Sequence, residues 1–137
     1  MELVIGGSFQ GKLAYAQRKL KQRNIIVTEA EILDGGEIGA PEPARRTETP
    51  KILNRLHELV RRQIWTGTPQ TVTQILDELL RENPEIVIVC DEVGYGVVPV
   101  DEREERYREE VGRTLCYLAE RAERMERVVG GIAMRIR

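Results

Sequence analysis

The chain has 137 residues, 41% of them apolar, which suits one domain spanning residues 1–137 with a core of its own. Charged residues make up 32% at a formal net charge of −2, so no basic excess marks a nucleic-acid partner; one Trp, four Tyr and one Phe leave little for base stacking. With no signal peptide and no apolar run of membrane-spanning length, a cytoplasmic protein is expected, with Cys90 and Cys116 as free thiols.

The chain opens on Glu2-Leu3-Val4-Ile5, a strand pattern, followed by Gly6-Gly7-Ser8-Phe9-Gln10-Gly11-Lys12. Strand, glycine loop, Lys and helix is the layout of a phosphate-binding P-loop. Backbone N–H groups around Gly6, Gly7, Ser8 and Gly11 would cradle phosphates, and Lys12 would supply a point charge. Leu13 stands where a Ser or Thr hydroxyl ordinarily ligates Mg²⁺, so any metal there needs another oxygen. A helix with basic residues in its last turn follows, and then a strand at Ile25-Ile26-Val27-Thr28. Strand, helix and strand form a βαβ unit, which favours a parallel pair.

Periodicity stops over residues 29–48, where Gly35-Gly36, Gly39, Pro41 and Pro43 predict a mobile loop. Thr49-Pro50 reads as the start of a helix carrying Ile52, Leu53, Leu56, Leu59, Val60 and Ile64 on one side. His57, the only histidine, flanks that stripe, which is the position of a half-buried structural residue; it is also the one histidine available for catalysis. After Trp65 and the turn Thr66-Gly67-Thr68-Pro69, a second helix carries Val72, Ile75, Leu76, Leu79 and Leu80. Asn83-Pro84 ends it. The pair reads as scaffold.

Ile86-Val87-Ile88-Val89-Cys90 is apolar without alternation, as in a parallel strand buried on both faces. Asp91 and Glu92 close it, the Walker-B pattern in which a carboxylate at a strand's carboxyl end holds Mg²⁺ or its waters. Asp91 is the candidate metal ligand, and both acids are candidate catalytic groups. A long helix is expected from about Glu102 to Glu126, with the stripe Tyr107, Val111, Leu115, Leu118, Ala122 and Met125. Five Glu-to-Arg pairs at i,i+4 lace it: Glu102–Arg106, Glu104–Arg108, Glu109–Arg113, Glu120–Arg124 and Glu123–Arg127. A salt-bridged exposed face accounts for most of these charges, but Arg106, Arg108 and Arg113 lie nearest the Gly94–Pro99 loop and could instead reach phosphates. Gly130-Gly131 between two short strands predicts an antiparallel turn at the sheet's edge.

Two of these regions resemble the bifunctional adenosylcobinamide kinase/adenosylcobinamide-phosphate guanylyltransferase family of cobalamin biosynthesis. One is Leu3 to Gly7 with Gly11-Lys12. The other holds Asp91-Glu92-Val93-Gly94-Tyr95-Gly96-Val97-Val98-Pro99, then Arg108-Glu109 with Gly112-Arg113, then Gly130-Gly131-Ile132. Arg46-Thr47-Glu48 is similar to a family Arg-Thr-acid string. The resemblance covers about half the chain. It implies an α/β, P-loop-type three-layer fold with a mainly parallel sheet and an antiparallel C-terminal edge. It also implies GTP or ATP as cofactor with Mg²⁺, cobinamide as substrate, a guanylylated histidine and a homo-oligomer, in the family a trimer. The chain is shorter than the family's usual length between the second strand and Asp91. No acid-ended strand is read there, and His57 lies in a helical pattern. Two functions are therefore carried forward: a nucleotide-dependent transferase with kinase and guanylyl-transfer steps impaired, or an inactive paralogue that binds nucleotide, cobinamide or a protein.

Overall fold

The computed structural model describes residues 1–21, 25–33, 51–67, 69–94, 96 and 101–137. In chain order the elements are β1 (Glu2–Gly6), α1 (Lys12–Leu20), β2 (Val27–Glu29), α2 (Ala30–Leu33), β3 (Ile52–Asn54), α3 (Leu56–Thr66), α4 (Val72–Glu82), β4 (Val87–Asp91), α5 (Glu102–Arg121), β5 (Arg124–Val129) and β6 (Ile132–Arg135). The strands form one sheet in the order β2-β3-β4-β1-β5-β6, parallel throughout except for β6, which runs antiparallel to β5. This is a P-loop-type α/β fold.

The uninterrupted apolar runs of β1 and β4 follow from burial on both faces. Leu3, Ile5, Ile88 and Cys90 point into a large core with Leu56, Leu59 and Val60 of α3, Leu76 of α4, and Tyr107, Val111 and Leu118 of α5. Val4, Val87 and Val89 point the other way, against Ala16 of α1 together with Ile52 and Val128. A fully buried Leu or Val contributes about 1.5–3 kcal/mol, so these two layers are the main stabilising term. Two helices, α4 and α5, begin where side chains satisfy their free N–H groups, whereas α1 and α3 open at left-handed residues, Gly11 and Arg55, with no side-chain cap. Thr71 and Gln74 form a capping box at α4, and Asp101 accepts from the Arg103 N–H at 2.9 Å at α5.

Four expectations change. First, Ile52 and Leu53 belong to a strand rather than to a helix. β3 pairs with β2 and β4, so the segment before Asp91 does contain another strand, ending in Asn54 rather than an acid. Arg55, at φ 60°, breaks the chain between β3 and α3, whose first turn then holds His57. The predicted helix start at Thr49-Pro50 lies outside the described residues. Second, β1 and β2 share the parallel sheet but are not neighbours; β3 and β4 lie between them.

Third, Glu29 ends β2 and Ala30–Leu33 form a helical turn, so the first residues of the expected 29–48 loop are structured. Residues 34–48, with Arg46-Thr47-Glu48, lie outside the described residues. Fourth, α5 stops at Arg121 and Met125 joins β5, opposite Leu3 of β1. Of the five expected helical pairs, Glu109–Arg113 forms at 2.6 Å. The last two cannot be helical, since Arg124 bonds Glu126 and Arg127 bonds Glu92. Gly130 and Gly131, at φ 55° and 79°, make the expected turn between β5 and β6.

Candidate functional site

The carboxyl ends of β1, β3 and β4 meet the amino-terminal ends of α1 and α3 around an open cavity of about 590 Å³, within the usual range for small-molecule sites. Each side of it has a local cause. Gly6 has φ 153°, and a Cβ there would overlap the Val128 carbonyl oxygen, so only glycine lets β1 turn into the loop beside β5. Gly11, at φ 81°, caps α1 in the left-handed region, which opens the helix at Lys12. The loop is braced from the far end of the chain: Gln10 accepts from the Gly130 N–H through its side chain at 2.6 Å and from the Gly131 N–H through its carbonyl at 2.9 Å.

Lys12 is buried, and its Nζ donates to the Gly7 carbonyl at 2.6 Å and to Asp91 Oδ1 at 2.7 Å. An ammonium has three N–H groups, so a third is left for a ligand oxygen. Ser8 Oγ donates to Asp91 Oδ2 at 2.6 Å. Burial alone would raise the Asp91 carboxyl, but the hydrogen bonds from Lys12 and Ser8 outweigh it and hold the group below its ordinary value. Asp91 is therefore ionised and ties the loop to β4.

His57 enters from the first turn of α3. The Asp91 N–H donates to its Nδ1 at 3.2 Å, on the same edge of β4 from which the Val87 N–H donates to the Lys51 carbonyl. The imidazole thus takes over where β3 has ended. Its Nε2 lies 3.4 Å from Glu58 Oε1 and 4.0 Å from Asp91 Oδ2. Burial lowers the His57 pKa against the opposing pull of Asp91 and Glu58, so the ring is neutral. With Nδ1 accepting, the proton sits on Nε2, and neither nitrogen keeps a lone pair free to attack.

Among the sequence-selected residues, Ser8, Gly11, Lys12, His57 and Asp91 line the cavity, while Gly6 and Gly7 shape its loop. Glu92 does not line it; its carboxylate bonds Arg127 Nε at 2.9 Å and braces β4 against β5. Arg108 and Arg113 do not line it either. Both lie on α5, which packs against the opposite face of the sheet from α1, and Arg113 is exposed and bonded to Glu109. The residues that sequence reading missed are Asn54, Arg55 and Glu58. No glycine or proline marks the break at Arg55, and the helical spacing of Ile52 to Ile64 hides the strand that carries Asn54.

The hard-oxygen donors at the loop are Ser8 and Asp91. They fit Mg²⁺, which takes one or two carboxylates and completes its octahedron with phosphate oxygens and water. Leu13 adds no oxygen and packs partly against the α1-side core. Among the described residues no three His, Cys, Asp or Glu side chains converge on a metal position, and no helix is long and apolar enough to cross a membrane.

The family model for cobinamide kinase / cobinamide phosphate guanyltransferase matches residues 51–136, from β3 to β6. That span includes Asp91, His57 and the Gly130-Gly131 turn, and it begins after the Lys12 loop. No curated protein matches the chain. With more than half its length matched, the chain belongs to the cobinamide kinase / cobinamide phosphate guanyltransferase family of cobalamin biosynthesis.

Proposed function

We propose that the cavity binds the phosphates of GTP or ATP at the Lys12 loop and serves phosphorylation of the cobinamide hydroxyl, without guanylyl transfer through His57. The observation that carries this reading is the Lys12–Asp91–Ser8 cluster at the start of α1. Loop amides and the positive end of α1 favour an anion, and the third Lys12 proton supplies a charge-assisted bond. Mg²⁺ held by Asp91 and Ser8 would neutralise charge on the transferring phosphoryl group. Asp91 positions Lys12, and the sheet edge orients nucleotide and acceptor, so the chain's contribution is positioning and electrostatics. Gly6 and Gly11 serve through the turns they allow, which, with Gly7, aim the loop N–H groups at a phosphate.

Calorimetric titration of GTP, GDP and ATP into wild type and Lys12→Ala tests the phosphate site. A loss of about 1.5–3 kcal/mol in the variant is expected for a charge-assisted contact. Equal affinity in the two proteins ends the idea. The absence of guanylyl transfer is supported by the locked His57 ring: labelled GTP should leave no acid-labile adduct that disappears in His57→Ala.

A second reading, a member that binds without turnover, is favoured by Leu13. It predicts nucleotide affinity with weak Mg²⁺ dependence and no phosphorylated product. We also read the chain as a homo-oligomer, supported by exposed Ile132, Met134 and Ile136 along the β6 edge; light scattering showing a monomer at micromolar concentration rejects this.

A further inference from the structure

Asn54, the last residue of β3, lies in register with Glu29 on β2, and its Nδ2 donates to Glu29 Oε1 at 2.9 Å. A carboxylate only accepts, so this bond decides which way round the amide sits: the nitrogen faces β2 and Oδ1 faces away from it. Beyond β3 in the sheet comes β4. Ile52 packs with Val87 and Val89 on the α1 side, and strand alternation puts Asn54 on that same side. There the cavity opens, with Asn54 in its wall beside His57, Val89 and Asp91.

The arrangement is costly. Glu29 Oε2 is buried with no hydrogen-bond partner among the described residues. A strand pair needs no carboxylate, and a half-satisfied one works against folding. Holding the Asn54 amide in one orientation is what this carboxylate does.

We propose that Asn54 is a substrate-binding residue whose Oδ1 accepts a hydrogen bond from the phosphoryl-acceptor hydroxyl, and that Glu29 is the positioning residue that aims it. This rests on reading the cavity as the site of a nucleotide-dependent alcohol kinase. Charge divides the cavity between the two substrates. Lys12 and the loop amides attract phosphate at the α1 end. At the other end Arg55 pairs with Glu58 at 3.6 Å, so the charged groups there offset one another and the Asn54 carbonyl oxygen suits a neutral donor.

The test is calorimetric titration of cobinamide, with and without GTP, into wild type, Asn54→Ala, Asn54→Asp and the swap Glu29→Gln/Asn54→Asp. Removing the acceptor in Asn54→Ala, or facing it with a second carboxylate in Asn54→Asp, should weaken cobinamide about tenfold, the scale of one hydrogen bond. In the swap the introduced amide donates to the introduced carboxylate, which again turns an oxygen to the cavity. Affinity should return to within about threefold of wild type, while GTP affinity stays within about twofold in every variant. A structural role alone would not give that rescue. Unchanged cobinamide affinity in Asn54→Ala, a swap no better than Asn54→Asp, GTP affinity falling in step, or no cobinamide binding by wild type each overturns the proposal. If cobinamide follows the expected pattern but GTP does not bind, the nucleotide reading fails, and Asn54 is left as a residue that binds the cobinamide hydroxyl without phosphoryl transfer.

Discussion

Asp91→Asn perturbs the junction on which the site depends. The carboxylate holds Lys12 Nζ at 2.7 Å and Ser8 Oγ at 2.6 Å, and its own N–H bonds His57. Lys12 is only 6% exposed and Asp91 20%, so removing the charge leaves a buried ammonium with the Gly7 carbonyl as its main partner. Breaking a fully buried pair costs about 3–5 kcal/mol, and a hydrogen bond to a charged group about 1.5–3. The amide keeps one acceptor, and Asp91 is partly solvated, so about 2–3 kcal/mol is expected at pH 7. Urea unfolding should show this as a lower midpoint at unchanged slope, with a melting temperature lower by about 6–12 °C. The sign with pH is fixed by the direction of the shift. The folded carboxyl lies below its ordinary 3.8, so its stabilisation is complete above that pH and is lost as pH falls through the lower folded value. The gap between wild type and variant should therefore hold from pH 7 to about 4 and close below that. A penalty under about 0.5 kcal/mol at pH 7, or one that persists unchanged in acid, would mean that the Asp91 charge does not hold Lys12 in place.

Gly6→Ala should cost about 3 kcal/mol, because its Cβ meets the Val128 carbonyl and its φ of 153° strains any side chain, whereas Gly7→Ala, whose nearest neighbour is Gln10 Cγ at 3.5 Å, should cost under about 1; comparing their urea midpoints checks this. Burial lowers the folded pKa of His57 below 6.5, so wild type should lose stability as pH falls through 6.5 toward the lower folded value. His57→Gln should flatten that slope between pH 7 and 5 in urea titrations. Leu13 lines the cavity together with Ser8 and Asp91, so Leu13→Ser adds a hydroxyl to that wall and should strengthen GTP binding in Mg²⁺ about tenfold over binding in EDTA; an unchanged Mg²⁺ dependence rejects the metal position.

The parts of the fold legible in the sequence are those whose local chemistry has one solution. β1, its glycine loop and α1 form because glycines stand where φ is positive, and β4 forms because its run is apolar on both faces. The Gly130-Gly131 hairpin follows from the same logic. β3 escaped because three residues are too few to show a period, and Ile52 and Leu53 continue the spacing of α3 without a glycine or proline to mark Arg55. Met125 escaped for a related reason: it fits both the stripe of α5 and the strand beside β1. Asp91 and Glu92 are adjacent acids, but one turns to Lys12 and the other to Arg127, and only the sheet's alternation separates them. Long-range contacts also put His57 at the site, through a strand that sequence pattern alone did not reveal.

The most direct test of the central claim is a crystal structure after soaking with GTP and Mg²⁺. Phosphate oxygens are expected within hydrogen-bonding distance of Lys12 Nζ and of the N–H groups leading into α1, with any Mg²⁺ on the Asp91 and Ser8 side. A nucleotide bound elsewhere on the chain, or at this cavity with its phosphates turned away from Lys12, would contradict it.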